Sequence, residues 1–161
     1  MIDKKIIGLT GGISSGKTTV ANYLENKYQI HILDADIYAR EAVANDSPIL
    51  KKIIQRYGKK ILLPNQTLNR QKLGEIIFND SEEKIWLESQ IHPFVKDCFL
   101  RKINQLQNSV IVLVIPLLFE SKMIDLVTEI WVVTCSDEQQ LQRTNQIYYS
   151  NFSAIHITYF R

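Results

Sequence analysis

The sequence predicts an α/β protein, a parallel sheet flanked by helices and interrupted by one long helical insertion. Three observations predict it. Four apolar runs without alternation, Lys5 to Thr10, Ile30 to Leu33, Val110 to Ile115 and Glu129 to Thr134, have the pattern of strands buried on both faces. A segment of helical spacing separates the first two. A glycine-rich stretch, Gly11-Gly12-Ile13-Ser14-Ser15-Gly16-Lys17-Thr18, joins the first strand to that helix, so strand, loop, helix and strand make a βαβ unit.

Size and charge bound the rest. A chain of 161 residues suits one domain and buries enough surface to need no staple. The apolar share of 45% is ordinary, and a net charge of +2 gives no reason to invoke nucleic acid or an anionic membrane as a partner. Lys51, Lys52, Lys59 and Lys60 read as a solvated helix surface. Cys98 and Cys135 lack metal-ligand or redox spacing and sit in apolar runs, so both read as small core residues in a reducing compartment. Lys4 and Lys5 before an apolar stretch mimic a leader, but Gly8, Thr10, Gly11 and Gly12 break the stretch too early. No run approaches membrane-spanning length, and the expected compartment is the cytoplasm.

The glycine stretch carries the first chemistry. It fits G-x-x-x-x-G-K-[ST] between a strand and a helix, the setting of a phosphate-binding loop, which makes the fold P-loop NTPase-like. Glycines let the backbone curl around a triphosphate with N–H groups inward and some residues at positive φ. Lys17 would reach the β and γ phosphates of ATP, Thr18 would hold Mg²⁺ through its hydroxyl, and the helix would turn its positive end to the anion.

The remaining elements follow in order. Val20, Ala21, Leu24 and Tyr28 give a helix from Lys17 to about Lys27, and the second strand ends at Asp34-Ala35-Asp36, on the same rim as the loop. Asp36 can cap a helix over Ile37 to Val43, and Ser47-Pro48 starts another over Ile49 to Tyr57, closed by Gly58. Pro64-Asn65-Gln66-Thr67 reads as a turn, Asn69 caps a helix to Phe78, and Ser81 caps one carrying Ile85, Trp86 and Leu87. A further helix is expected to start at Pro93, with Phe94, Val95, Cys98, Phe99, Ile103 and Leu106 as a core stripe. Val110 to Ile115, the most apolar run, is expected at the centre of the sheet and ends at Pro116. A short helix around Lys122 to Val127 precedes the fourth strand, and a last helix begins at Ser136-Asp137-Glu138 and carries Leu141 and Arg143. The expected organisation is a single domain over 1–161, with its core at about 1–44 and 108–143, a helical insertion at about 45–107, and a tail at 144–161.

Phosphoryl transfer needs a carboxylate near the acceptor hydroxyl and cations around the transferred group. Asp34 and Asp36 compete for the first role, since i and i+2 share a face of an extended segment. Arg40 lies one helical turn after Asp36, suited to a substrate phosphate or, equally, to an ion pair with Asp36. His92, before Pro93, reads as a cap or a ligand contact at a helix start, and spacing alone leaves Glu120 between a ligand-facing and a solvated role.

Together these pieces resemble the dephospho-CoA kinase family, whose members phosphorylate the ribose 3′-hydroxyl of dephospho-CoA with ATP to complete coenzyme A. The resemblance rests on Ile7 through Ala21, Asp34-Ala35-Asp36 with Ala39-Arg40, Leu68-Asn69-Arg70, Ile77-Phe78, Leu87-Glu88, Ile91-His92-Pro93 and Pro116 to Glu120, spread over about residues 5 to 143. It implies strand order 2-3-1-4-5, a helical substrate-binding part and a mobile lid. It implies Asp36 rather than Asp34 as the catalytic carboxylate, working with Lys17. It places Thr10, Arg40 and His92, with Asp36, around the substrate. Gly11, Gly12, Ile13, Ser14, Ser15, Gly16, Lys17, Thr18 and Thr19, with Arg143, are placed around ATP and its Mg²⁺. Ser14 stands where the family usually has glycine, tolerable if the position avoids positive φ or can bear it.

The carboxyl end departs from this pattern. The family has a second arginine four residues after the one matched by Arg143, where this chain has Ile147. Residues from Thr144 to Arg161 match nothing expected of the family and include no acidic residue, and the chain is shorter than the family's usual length; a shifted reading frame or altered carboxyl end is the expectation. Loss of a cation that completes a lid costs on the order of 10³ or more in rate. A missing fifth strand would open the edge beside the fourth, which the alternating Ile155 to Tyr159 has the character to cover. Two alternatives therefore stand beside an active enzyme: a nucleotide-binding remnant without a working lid, and a kinase for another small molecule or nucleotide.

Overall fold

The computed structural model describes residues 4–145 and 156–160. The elements in order are β1 (Lys5–Gly11), α1 (Lys17–Tyr28), β2 (His31–Asp34), α2 (Ala35–Ala42), α3 (Pro48–Tyr57), α4 (Arg70–Asn79), α5 (Ser81–Gln105), β3 (Val110–Val114), β4 (Glu129–Thr134), α6 (Asp137–Asn145) and β5 (His156–Phe160). The five strands form one sheet in the order β2-β3-β1-β4-β5, as the resemblance implies. Four are parallel, and β5 pairs antiparallel with β4, from Ile130↔Phe160 to Thr134↔His156. The alternating tail segment thus does cover the β4 edge. Ile147 lies outside the described residues, as do 146–155 generally.

The centre of the sheet is β1, not the more apolar β3. Ile111, Val112 and Leu113 are fully buried, but so is Leu9 of β1. Hydrophobicity separates interior strands from edges and does not rank the interior ones.

The chain divides into two compact units, Asp36–Phe99 and the residues on either side of it. In the α/β unit, Ile7, Leu9, Val112, Val114 and Val133 pack with Val20, Ala21 and Leu24 of α1, while Tyr28 is exposed instead of completing the stripe. Glu129 is buried at the start of β4, paired to Lys5 Nζ at 2.5 Å and accepting the Trp131 indole N–H at 2.9 Å, so its carboxylate is compensated on both sides. A 3-10 turn, Ile124–Leu126, stands where a short helix is expected, and Ser136 caps α6 by accepting the Gln139 N–H at 3.2 Å.

The helical unit holds its own core, built from Ala42, Val43, Ile49, Leu50, Ile53, Ile61, Leu68, Leu73 and Leu87. Two caps match the sequence: Ser47 accepts the Leu50 N–H at 2.9 Å and Asn69 accepts the Lys72 N–H at 3.0 Å. The turn at 64–67 closes with the Thr67 N–H on Asn65 Oδ1 at 3.1 Å. The four lysines at 51, 52, 59 and 60 are exposed, as read.

Three expectations are corrected here. Asp36 is not a cap; α2 starts at Ala35, so Asp36 lies in its first turn, and strand alternation does not relate it to Asp34. The cap of α5 is Asp80, whose Oδ1 accepts from the Glu82 and Glu83 N–H groups at 2.9 and 3.3 Å, and Ser81 is the first helical residue. No helix starts at Pro93. α5 runs unbroken for 25 residues with Pro93 inside, and His92 is a half-buried mid-helix residue instead of a cap. An internal proline costs roughly 3 kcal/mol. Burial of Val95, Cys98 and Phe99 just beyond it, with Phe99 edge-on to Tyr38 at 5.3 Å between ring centroids, outweighs that cost.

Candidate active site

The loop between β1 and α1 is shaped by its backbone. Gly11 has φ 148°, and a Cβ there would stand 2.3 Å from the Val133 carbonyl oxygen of the neighbouring strand, so no side chain fits. Gly16, at φ 107°, turns the chain into α1 without a side-chain cap, leaving the N–H groups of the first helical turn to a ligand. Ser14 takes φ 56°, so the position does adopt the left-handed conformation and the serine bears it. The Ser15 N–H closes a turn on the Gly12 carbonyl at 3.3 Å, and its buried hydroxyl has no hydrogen-bond partner among the described residues.

Lys17 folds back over the loop, its Nζ donating to the Gly11 and Gly12 carbonyls at 2.8 Å each. Thr18 is exposed in the first turn of α1, and Thr19 is half-buried. Thr10 is buried at the end of β1, its hydroxyl donating to the Pro116 carbonyl at 3.0 Å. A cleft of about 360 Å³ opens here, lined by Thr10, Gly11 and Lys17 on one side and Leu117, Phe119 and Glu120 on the other. Glu120, undecided from spacing, thus lies in the cleft wall.

The loop's other side rests on α6. Arg143 Nη1 donates to the carbonyls of Ser14 and Ser15 at 3.4 and 3.2 Å, Gln140 Nε2 to that of Ile13 at 2.8 Å, and the Thr144 hydroxyl to Ser14 Oγ at 3.1 Å. Cys135 is only half-buried, with Sγ 4.0 Å from the Ser14 carbonyl, so it borders the loop instead of sitting in the core. Gln140 and Thr144 were not singled out by sequence. The signal was available, since they stand three residues before and one after Arg143 on one helical face.

The other candidates belong to the helical unit. Asp36 and Arg40 are both exposed on α2, four residues apart, with Tyr38 buried between them in sequence. Arg70 Nη2 donates to the Arg40 carbonyl at 3.5 Å, and His92 lies on α5. A further charged cluster of this unit lies elsewhere. Arg56 forms a two-pronged ion pair with Glu83 at 2.6 and 2.7 Å while stacking over Trp86 at 4.5 Å, and the Tyr57 hydroxyl donates to the same carboxylate. Arg56 is the main cause of a Glu83 pKa near 2, and burial followed by the Glu83 contact raises Tyr57 to about 12.

The residues present fit a nucleoside triphosphate with Mg²⁺. An uncapped helix start, a cradle that a Cβ would fill, an orphaned buried hydroxyl and a lysine folded over the loop carbonyls suit a phosphate group, and the Thr18 hydroxyl would offer an oxygen suited to a hard cation.

Known proteins are similar to this chain. A family model described as dephospho-CoA kinase matches residues 5–158. Dephospho-CoA kinases of Trichormus variabilis and a Synechocystis strain are 62% and 57% identical to the chain over 140 and 141 residues; each alignment covers 87% of this chain, and 71% and 70% of those proteins respectively. Among solved structures, TT1252 from Thermus thermophilus superposes with TM-score 0.77 at 30% identity, covering 91% of this chain and 74% of that one. Dephospho-CoA kinase from Campylobacter jejuni gives 0.59 at 30% identity over 73% of this chain, which spans 60% of that one. On a family match across nearly the whole chain and on identities far above chance similarity, the chain belongs to the dephospho-CoA kinase family.

Proposed function

We propose that this chain transfers the γ-phosphoryl group of ATP to the ribose 3′-hydroxyl of dephospho-CoA, giving coenzyme A and ADP, in the cytoplasm. ATP with Mg²⁺ is the phosphoryl donor of the family. The observation that carries the reading for this chain is the loop from Gly11 to Thr18, with its uncapped helix start and reachable lysine. Bound Mg²⁺ would supply neutralisation of charge on the β and γ phosphates, with Thr18 as its protein ligand.

The chain's own residues divide the remaining work. Lys17 exchanges two neutral carbonyl partners for phosphate oxygens, a stronger charge-assisted pairing. Arg143 provides a second cation beside Ser14 and Ser15. Asp36, exposed in the first turn of α2, orients the 3′-hydroxyl and takes its proton as the oxygen attacks. Arg40, His92 and Thr10 are the acceptor-binding residues of this reading. The helical unit is thus the acceptor-binding part of a single kinase domain.

The test is coenzyme A formation from dephospho-CoA, ATP and Mg²⁺, with Asp36→Asn alongside. The reading expects turnover in the parent and a fall of about 10² to 10⁴ in kcat for the variant. MgATP binding with no coenzyme A formed, the variant and parent behaving alike, would select a nucleotide-binding remnant. Faster transfer to a nucleoside monophosphate in a substrate panel would select another kinase specificity.

A further inference from the structure

The loop faces α6 with its carbonyl groups. Three consecutive peptides, 13–14, 14–15 and 15–16, have their oxygens engaged by that helix: Ile13 by Gln140 Nε2 at 2.8 Å, and Ser14 and Ser15 by Arg143 Nη1 at 3.4 and 3.2 Å. In a trans peptide the C=O and the following N–H point in opposite directions. Holding the oxygens toward α6 therefore turns the N–H groups of Ser14, Ser15 and Gly16 away from it. The Ser15 N–H closes the turn on Gly12, and those of Ser14 and Gly16 flank it.

This orientation does not come for free. Ser14 carries a side chain at φ 56°, a conformation that L-residues other than glycine disfavour, so the loop needs an outside restraint to hold it. The three α6 contacts come from positions 140, 143 and 144, neighbours on one helical face, and the third ties the Thr144 hydroxyl to Ser14 Oγ at 3.1 Å. Of the contacts from α6 to the loop carbonyls, that of Gln140 is the shortest, and it is made by an uncharged side chain with no evident electrostatic role toward ATP. A Cβ on Gly12 would stand 3.1 Å from the same Nε2, so the amide lies tightly against the loop backbone.

We propose that Gln140 is a positioning residue of the phosphate site: its amide fixes the Ile13–Ser14 peptide so that the loop presents its N–H groups to a polyphosphate before the ligand arrives. It acts through the backbone and touches no substrate. The inference rests on the reading of Gly11 to Thr18 as a triphosphate site, and deepens it by naming what preorganises that site.

The test is calorimetric titration of the full chain with MgATP and, separately, with Mg²⁺-tripolyphosphate, which engages the loop without a base or ribose. Gln140→Ala removes the donor; Gln140→Glu keeps the shape but sets an acceptor against the Ile13 carbonyl. Loss of one such hydrogen bond predicts an affinity for both probes roughly five- to tenfold lower in Gln140→Ala. A larger loss is expected in Gln140→Glu, near-parental affinity in Gln140→His if its ring N–H reaches the carbonyl, and an unchanged melting temperature within about 2 °C in the alanine variant on this solvent-facing helix. Parental affinity in both Gln140→Ala and Gln140→Glu would overturn the proposal, as would a loss for MgATP with none for tripolyphosphate, which would move the effect to the base. If the parent binds tripolyphosphate but forms no coenzyme A, the kinase reading fails while the inference about Gln140 is still decided by the same titrations.

Discussion

The two units of this protein write their chemistry in different materials. In the α/β unit the candidate site is mostly backbone: a glycine whose Cβ position is taken by the Val133 carbonyl, a serine in left-handed conformation, and carbonyls held by α6. In the helical unit it is side chains, Asp36 and Arg40 exposed on α2 and His92 on α5, mounted on helices whose other faces make an apolar core. Backbone sites tolerate little substitution but are read locally, whereas side-chain sites are tolerant in their scaffold and depend on distant packing. Binding of the donor is therefore expected to fail through the first unit, and transfer to the acceptor through the second.

The sharpest separation comes from paired variants. Asp36→Asn is expected to lower kcat by about 10² to 10⁴ with the MgATP dissociation constant unchanged, while Lys17→Ala weakens MgATP roughly 10- to 100-fold by loss of a charged donor. Weaker MgATP binding in Asp36→Asn would break the division of labour. Next in size, Phe99→Ala removes a fully buried ring packed edge-on against Tyr38 and is expected to cost about 3 to 5 kcal/mol, read by chemical denaturation.

Acid and base probe the helical unit's charged cluster. Glu83 has a folded pKa near 2 against an ordinary 4.5, so its contribution to stability is present above about 4.5 and is lost as pH falls through 2. Tyr57 is shifted the other way, from 10.0 to about 12; its contribution holds below 10 and is lost as pH rises through 12. Thermal midpoints across these two windows check both signs, and Arg56→Ala should flatten the acid limb. The smallest effect belongs to the loop. Ser14→Gly relieves a left-handed side chain but loses the Thr144 contact and adds unfolded-state freedom, for a net gain of about 0.5 kcal/mol at most in denaturant titration.

The same contrast explains what could be read in advance. β1, the loop, α1 and β3 were legible because buried parallel strands and phosphate loops are encoded in contiguous residues, and Ser47, Asn69 and Ser136 because caps act over three positions; β4, expected buried, keeps only Glu129 and Val133 so. Pro93 misled because a local rule about helix starts was overridden by burial of Val95, Cys98 and Phe99. Asp80 escaped because a neighbouring serine offered an equally good cap. Gln140 shares a helical face with Arg143, but what it binds could not be read in advance: its partner, Ile13, is a carbonyl more than a hundred residues away, and a backbone acceptor leaves no mark on side-chain identity. The edge strand was suggested by alternation at Ile155 to Tyr159, whereas its antiparallel direction had no local signature.

The position of β1 at the middle of the sheet sets a timetable for synthesis. Its partners begin at Val110 and Glu129, so the strand leaves the ribosome with both flanks unsatisfied until about a hundred further residues have been added. At 5 to 20 residues per second that is on the order of 5 to 25 s. Throughout it the nascent chain carries a phosphate-loop motif but neither the Val133 carbonyl that shapes Gly11 nor the helix that steadies Ser14. The loop thus takes its final shape late, with the arrival of β4 and α6 rather than with the emergence of the motif itself.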